Sequence, residues 1–272
     1  MESLKQTLFV RHILFVALFL FQSLFAAFEF PGVNWAGASA NVSVIGDSHL
    51  DRYAQNPALM SMTTKSQVSV QYGRPFVNLE LNSTSLKILH HFKSLSLEAN
   101  IDYFGDDIYS ELTFDAGGSW TIDSTLRVGL STGFYRVDIA SWKTLFAVSI
   151  SPGLYYEFTE RIHFGSVIKH LIQKSPSLEL PQKFLFAAEY ESELFLLLLG
   201  LEKEAALPLE FGIGIITTPK SKWQFACGYR DASGTLSAGW RVRLAKYVVH
   251  YTWIGHAELP DSHGFGMEFH FK

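Results

Sequence analysis

The chain has 272 residues, of which 48% are hydrophobic and 18% charged, with 23 phenylalanines and a formal net charge of −4. A charged fraction below the roughly 25% of a soluble domain, combined with many aromatic residues, is typical of a β-barrel whose outer surface meets lipid. The acidic balance argues against a nucleic-acid partner, and Cys227, the single cysteine, excludes an intrachain disulfide and a multi-cysteine metal site.

The N-terminus has the pattern of an export signal. Lys5 and Arg11 give it a basic end, an apolar run covers residues 13–28, and Ala26 and Ala27 offer a cleavage point. The run is shorter than the ~20 residues that a membrane-spanning helix needs. We predict a signal peptide over residues 1–27. An uncleaved anchor is the alternative, because a leucine and a phenylalanine stand just before these alanines.

Residues 28–63 have no sustained period and are rich in glycine, proline and asparagine, which predicts an irregular segment. It contains Asn56 and Pro57. Proline fixes its own φ and disfavours helical geometry in the residue before it, so the pair is expected to form a defined corner. Asn56 can also bond free backbone groups. The alternative is an ordinary loop that leads into the first strand.

From residue 64 to the end of the chain, apolar and polar residues alternate. Between Leu236 and Leu244, for example, every second residue is apolar, while serine, glycine and arginine fill the positions between. Successive side chains of a strand point to opposite faces, so this rhythm predicts strands with one apolar and one polar face. The predicted strands are 67–72, 77–89, 94–104, 110–123, 125–137, 145–157, 161–172, 183–192, 194–203, 209–217, 222–230, 235–244, 247–254 and 262–271.

The apolar parity flips between Leu81 and Leu86, which predicts a β-bulge in the second strand. An even number of about fourteen strands fits a single-chain bacterial barrel. The predicted fold is therefore all-β, a closed antiparallel transmembrane barrel over residues 64–272. A secreted soluble β protein is the alternative, because its strands would alternate as well.

Two features favour the membrane barrel. Aromatic residues of the apolar phase gather near strand ends, as in an interfacial girdle. The other phase carries charges, which a water-filled lumen tolerates. These charges would form internal ion pairs or a selectivity lining. The predicted lumen-lining residues are Arg127, Glu189, Glu210, Arg230, Arg241, Arg243 and Glu268.

The last strand alternates up to its end, with Phe265, Phe269 and Phe271 in one phase. An aromatic-terminated final strand resembles the signal that the barrel assembly machinery reads in outer-membrane proteins. Lys272 after the last phenylalanine departs from that pattern. We therefore predict insertion into a bacterial outer membrane, with its lipid and the assembly machinery as partners.

Both ends of the chain resemble the PorV/PorQ-type and FadL-like outer-membrane proteins. The small-residue stretch that runs to Gly46 and Asp47, followed by Asn56-Pro57-Ala58 just before the first strand, is similar to the opening of those chains. The C-terminal tyrosine, histidine and Glu-Leu spacing is similar to their ending. The resemblance implies a 14-stranded barrel with residues 28–63 folded into the lumen as a plug or hatch.

No residue pattern indicates an enzyme. The polar residues near predicted strand ends lack the spacing of a metal or nucleophilic site, so neither a cofactor nor a metal is expected. They are His90-His91, Asp106-Asp107, His163, His170 and His256. Gly212-Ile213-Gly214 and Gly264-Phe265-Gly266 lie inside strand patterns and are not dinucleotide loops.

Fold alone does not decide function. The sequence favours, by resemblance, a PorV/PorQ-like component or docking site of a protein-export system, with secretion components as partners. A FadL-like channel that takes up a small hydrophobic ligand is the alternative, and a purely structural barrel is the third reading. The chain is short, so its outer loops are expected to be modest.

Overall fold

The computed structural model describes residues 27–28, 32–42, 45, 51, 55–63, 65–92, 95–205, 207–217 and 221–271. Gly46, Asp47 and the predicted signal peptide, apart from Ala27, lie outside these residues. The chain divides into two compact units, Met1–Phe30 and Pro31–Lys272, and the second carries the fold described below. In the described ranges no helix has the length and apolar character to cross a membrane.

The described residues form fifteen strand segments in one antiparallel sheet. They are β1 (Ser66–Arg74), β2 (Asn82–Phe92), β3 (Leu95–Gly105), β4 (Tyr109–Thr121), β5 (Leu126–Ile139), β6 (Lys143–Thr159), β7 (Ile162–Lys169), β8 (Ile172–Lys174), β9 (Lys183–Glu191), β10 (Phe195–Glu204), β11 (Glu210–Thr217), β12 (Trp223–Arg230), β13 (Thr235–Leu244), β14 (Tyr247–Gly255) and β15 (Ser262–Phe271).

The sheet closes on itself. Neighbours along the chain pair with each other, and β1 pairs with β15 in a continuous register from Ser66–Phe271 to Arg74–His263. β7 and β8 both lie against β6 and together occupy one position of the ring, so the described wall has fourteen strands. Closure leaves no free edge, which is the condition for a sheet inside a bilayer. The predicted 14-stranded antiparallel barrel is confirmed.

The apolar face of each strand points outward. On β3, Leu97 and Ile101 are 42% and 44% exposed, whereas Glu98 and Asn100 are 6% and 4% exposed. A soluble antiparallel sheet would bury its apolar face and leave its polar face in water. The barrel shows the opposite arrangement, so the apolar exterior and polar interior predicted from the alternation of residues are present.

The predicted second strand and its bulge are wrong. Residues 75–81 form a loop, in which Phe76 has a left-handed backbone with φ 51° and Val77 N–H donates to the carbonyl of Asp261 over 2.9 Å. β2 starts at Asn82 and pairs with β1 without a register shift. The parity flip therefore comes from apolar loop residues. The register shift that the structure does contain lies between Glu157 and Thr159 on β6.

The two rims differ in their connections. Tight turns such as 122–125, 160–161 and 245–246 lie at one rim, and the longer loops 75–81, 175–182 and 256–261 lie at the other. In one tight turn the carboxylate of Asp123 accepts hydrogen bonds from Thr125 N–H (2.7 Å), the Thr125 hydroxyl and Leu126 N–H, which lower the pKa of Asp123. At the loop rim, N–H donors from Tyr109 and Ile108 lower the pKa of Asp106 in the same way.

A charge on the outer face tests whether this face meets lipid. Leu199 lies in the middle of β10 and Leu194 in the turn before it, and both side chains are exposed. Leu199→Arg is expected to lower the free energy of unfolding by about 2–4 kcal/mol, and Leu194→Arg by about 0–1 kcal/mol, because the cost depends on depth in the bilayer. Urea unfolding in lipid vesicles measures both. Equal losses would contradict a lipid-facing exterior.

Candidate functional site in the barrel lumen

The lumen holds the described part of the irregular N-terminal segment, here residues 32–42, 45, 51 and 55–63. This segment contains two 3₁₀ turns, Gly37–Ser39 and Pro57–Met62. The first turn contacts β11–β14 and the second contacts β3–β6. Trp35, Leu59 and Ile45 are fully buried within the apolar cluster that it shares with wall residues such as Leu198. The segment therefore reaches both sides of the barrel interior.

The Asn-Pro-Ala corner binds the wall through Asn56. This residue is fully buried and has extended backbone geometry, with φ −130° and ψ 107°. Its side-chain oxygen accepts a hydrogen bond from Ala58 N–H (3.0 Å), and its amide donates to the carbonyl of Leu154 (3.1 Å) on β6. Pro57 follows as the first residue of the turn, where its missing N–H costs no intrahelical bond. Ser119 of β4 donates to the Ala58 carbonyl over 3.0 Å.

Glycines on the inner wall provide the space for this segment. Gly129 and Gly153 lie so close to Pro57 that a Cβ at either position would overlap its atoms. Gly214 and Gly228 receive the backbone of the first turn at Ser39 and Ala40 in the same manner. Further inward glycines that contact the segment are Gly73, Gly117, Gly200, Gly212, Gly239 and Gly264. Sequence reasoning missed these positions, although the alternation had already placed several of them on the polar phase.

A second anchor centres on Asp51. Its carboxylate accepts a hydrogen bond from Trp35 N–H (2.9 Å) within the segment and bonds from Gln71 of β1 and Lys87 of β2. The Lys87 Nζ lies 2.7 Å from Asp51 Oδ1, and the two side chains are 4% and 0% exposed. The anchor thus joins the segment to the wall by a buried ion pair. The sequence analysis did not single out any of these residues.

Most of the predicted lumen charges make contacts inside the barrel. Arg230 forms ion pairs with Glu210 and with Glu202, the latter at 2.8 Å. Glu189 bonds His163 across β7 and β9 at 2.9 Å. Arg230 is therefore held by two carboxylates, whereas the partner of Glu189 is His163, a residue whose sequence spacing indicated no site.

The other predicted arginines contact aromatic rings or amides. The Cζ of Arg241 lies 4.8 Å from the ring centroid of Trp35, and its guanidinium donates to Gln224. Arg127 lies over Tyr155 at 5.1 Å. Arg243 and Glu268 also occupy inward positions, on β13 and β15, and Glu268 lies 3.3 Å from His270. The Arg241 contact adds a cation–π interaction between wall and segment.

A recess of about 290 Å³, open to solvent, remains between the segment and the wall. Val42 and Ala40 line it from the segment, and Leu185, Ala187 and Gly200 line it from β9 and β10. The paired charges Arg230, Glu202 and Glu210 lie toward the loop rim. The recess therefore has mainly apolar walls and a polar end at which one arginine forms ion pairs with two glutamates.

The final strand places its phenylalanines on the outer face. Phe265 is exposed, and the rings of Phe269 and Phe271 stack with centroids 5.9 Å apart. Because β15 pairs with both β14 and β1, it completes the ring. Recognition of this strand by the assembly machinery stays a prediction.

Solved structures share this architecture. The Ralstonia pickettii toluene transporter TbuX superposes with a TM-score of 0.68 at 10% identity, over 89% of this chain and 98% of its own. The monoaromatic hydrocarbon channel CymD gives 0.65 at 12% identity, over 90% and 99%. A Pseudomonas aeruginosa FadL homologue gives 0.61 at 10% identity, over 89% and 98%.

The chain has the fold of these barrels. At such low identity the likeness concerns the fold alone. No family model matches the chain, and neither does any curated protein.

Proposed function

We propose that this chain is an outer-membrane channel through which small apolar molecules pass, with the N-terminal segment as a plug in its lumen. The observation that carries the proposal is the apolar recess between Val42 and Ala187. The fold shared with proteins described as a toluene transporter and a monoaromatic hydrocarbon channel supports it.

The walls of the recess have the chemistry to contact an apolar molecule, and its volume of about 290 Å³ includes space that is open to solvent. Burial of apolar ligand surface against Val42, Leu185 and Ala187 is favourable by about 25 cal/mol per Å². At the polar end, Arg230 is held in ion pairs with Glu202 and Glu210. We therefore take a monoaromatic hydrocarbon as the probe ligand.

A PorV/PorQ-like role in protein export stays a prediction from the resemblance at the chain ends. The toluene transporter and the monoaromatic hydrocarbon channel that share this fold support passage of apolar molecules instead. Secretion components as partners, and cleavage of residues 1–27 on export, likewise stay predictions.

Substitution at Ala187 tests the recess directly. Ala187 is fully buried and lines the recess, whereas Ala188, the next residue of β9, lies on the outward face. Ala187→Leu fills the space that a ligand would occupy, so we expect it to lower the uptake rate by about fivefold or more, because ligand sites depend on their free volume. Ala188→Leu adds the same side chain toward lipid and should leave uptake unchanged.

Uptake of radiolabelled toluene is measured in bacterial cells whose outer membrane resists apolar solutes and which lack a channel of their own. Equal amounts of folded protein in the outer membrane are verified by heat-dependent gel mobility. Equal uptake rates for the two variants would show that the recess is not part of the path.

A further inference from the structure

A histidine and two glutamates meet at the inner face of the wall near the tight-turn rim. His163 of β7 is directly paired with Glu189 of β9, and Glu191 follows two residues later on the same strand. Since side chains two apart on a strand share a face, all three lie on one side of the wall. His163 Nδ1 is 2.9 Å from Glu189 Oε1, and one ligand atom from each residue lies within 4.8 Å of the others.

One carboxylate oxygen of this cluster has no partner in the part of the chain that the structure describes. Glu189 is only 6% exposed, and its Oε2 has no hydrogen bond among the described residues. The guanidinium of Arg127 makes no hydrogen bond to this Oε2 atom and instead lies over the ring of Tyr155. A buried acceptor left unpaired costs about 1–3 kcal/mol, and more when it is charged. A bound cation would remove this cost.

We propose that His163, Glu189 and Glu191 bind a first-row divalent cation, with Zn²⁺ favoured. An imidazole nitrogen and carboxylate oxygens are ligands that Zn²⁺ takes at about 2.0–2.2 Å, and three protein ligands leave a fourth position for water. Mg²⁺ and Ca²⁺ prefer sites made of oxygen ligands alone, so the histidine nitrogen makes this site less suitable for them. The site goes beyond the channel function and does not depend on it.

Metal at this position would join β7 and β9 close to the tight-turn rim. Glu191 is the last residue of β9, and it is partly exposed, which gives an ion access from water. A metal-ligand spacing is not apparent in the sequence here because His163 and Glu189 are 26 residues apart. Only the register of β7 against β9 brings them together.

Metal binding is measured on the full chain without an affinity tag, purified in detergent and stripped with a chelator. Co²⁺ serves as the optical probe and Zn²⁺ as the calorimetric one, and wild type is expected to bind one equivalent of each. Glu191→Gln removes one ligand and leaves the His163–Glu189 contact, so it should weaken Zn²⁺ affinity at least about tenfold, the lower bound for altered metal shells. Glu193→Gln makes the same change at an exposed turn residue and should bind like wild type.

Two results of the binding measurements would overturn the site. One is a wild-type protein without a saturable Co²⁺ band, and the other is equal loss of affinity in Glu191→Gln and Glu193→Gln. Heat-dependent gel mobility verifies that each variant is folded. Wild-type crystals soaked in Zn²⁺ give a readout that needs no variant: an anomalous peak between His163, Glu189 and Glu191 is expected, and its absence at saturating Zn²⁺ rejects the proposal.

Discussion

Gly153→Leu is expected to open the lumen to ions. A Cβ at Gly153 would overlap the Asn56 side-chain oxygen and lie 2.8 Å from Pro57 Cδ, which is closer than packed atoms allow. A leucine fits only if Asn56 and Pro57 move away from β6, and the hydrogen bond from Asn56 to the Leu154 carbonyl is then lost. Because interiors are close-packed and deform little, we expect the second turn to detach from β4–β6 and leave a wider path.

Single-channel recordings in planar bilayers measure this effect, and the conductance should rise several-fold over wild type. Ala116→Leu is the matched control, since it adds similar bulk on the outward side of β4 and should leave the conductance unchanged. A folded Gly153→Leu barrel with wild-type conductance would contradict the proposed plug.

Lys87→Met is expected to lower the free energy of unfolding by about 3–5 kcal/mol, the cost of removing one partner from a buried ion pair. Lys87 is almost completely buried, and its Nζ lies 2.7 Å from Asp51 Oδ1. Glu98, also inward and buried, lies on the adjacent strand β3. Without the ammonium group, the Asp51 carboxylate stays in the interior beside its neutral donors, Trp35 N–H and Gln71.

Urea unfolding in lipid vesicles quantifies the loss. Lys174→Met removes an exposed lysine on β8 and should cost less than about 1 kcal/mol, as expected of surface charges. The double variant Lys87→Met/Asp51→Asn should recover part of the loss, because it also removes the buried carboxylate charge. A loss in Lys87→Met no larger than in the control would show that this ion pair does not hold the segment.

The fold could be predicted from the sequence because strand alternation is a local property. Apart from the second strand and the end of the seventh, where β7 stops at Lys169 and not at residue 172, the predicted strand limits agree with the structure to within two residues. The exception has a physical cause: Val77, Leu79 and Leu81 alternate like a strand, but Phe76 turns the chain with a positive φ. In the same way His170, with φ 56°, separates β7 from β8 within one predicted strand.

The site could be predicted less well from the sequence, since its contacts depend on strand register and on the path of the N-terminal segment. Alternation places Lys87 and Glu189 on the inner face, yet it cannot indicate that Asp51 or His163 lies opposite them. Asp51 is 36 residues from Lys87 along the chain, and His163 is 26 residues from Glu189. Inward glycines were the one local signal that could have been used, because a lumen face without side chains leaves space for another segment.

Passage of apolar molecules through the lumen is tested most directly by soaking crystals of the full chain in bromobenzene and locating bromine by its anomalous scattering. The proposed function predicts a peak in the recess between Val42 and Ala187, with the paired Arg230 and Glu210 at its loop-rim end. Bromine found only on the outward, lipid-facing side of the strands, with none in the recess, would contradict it.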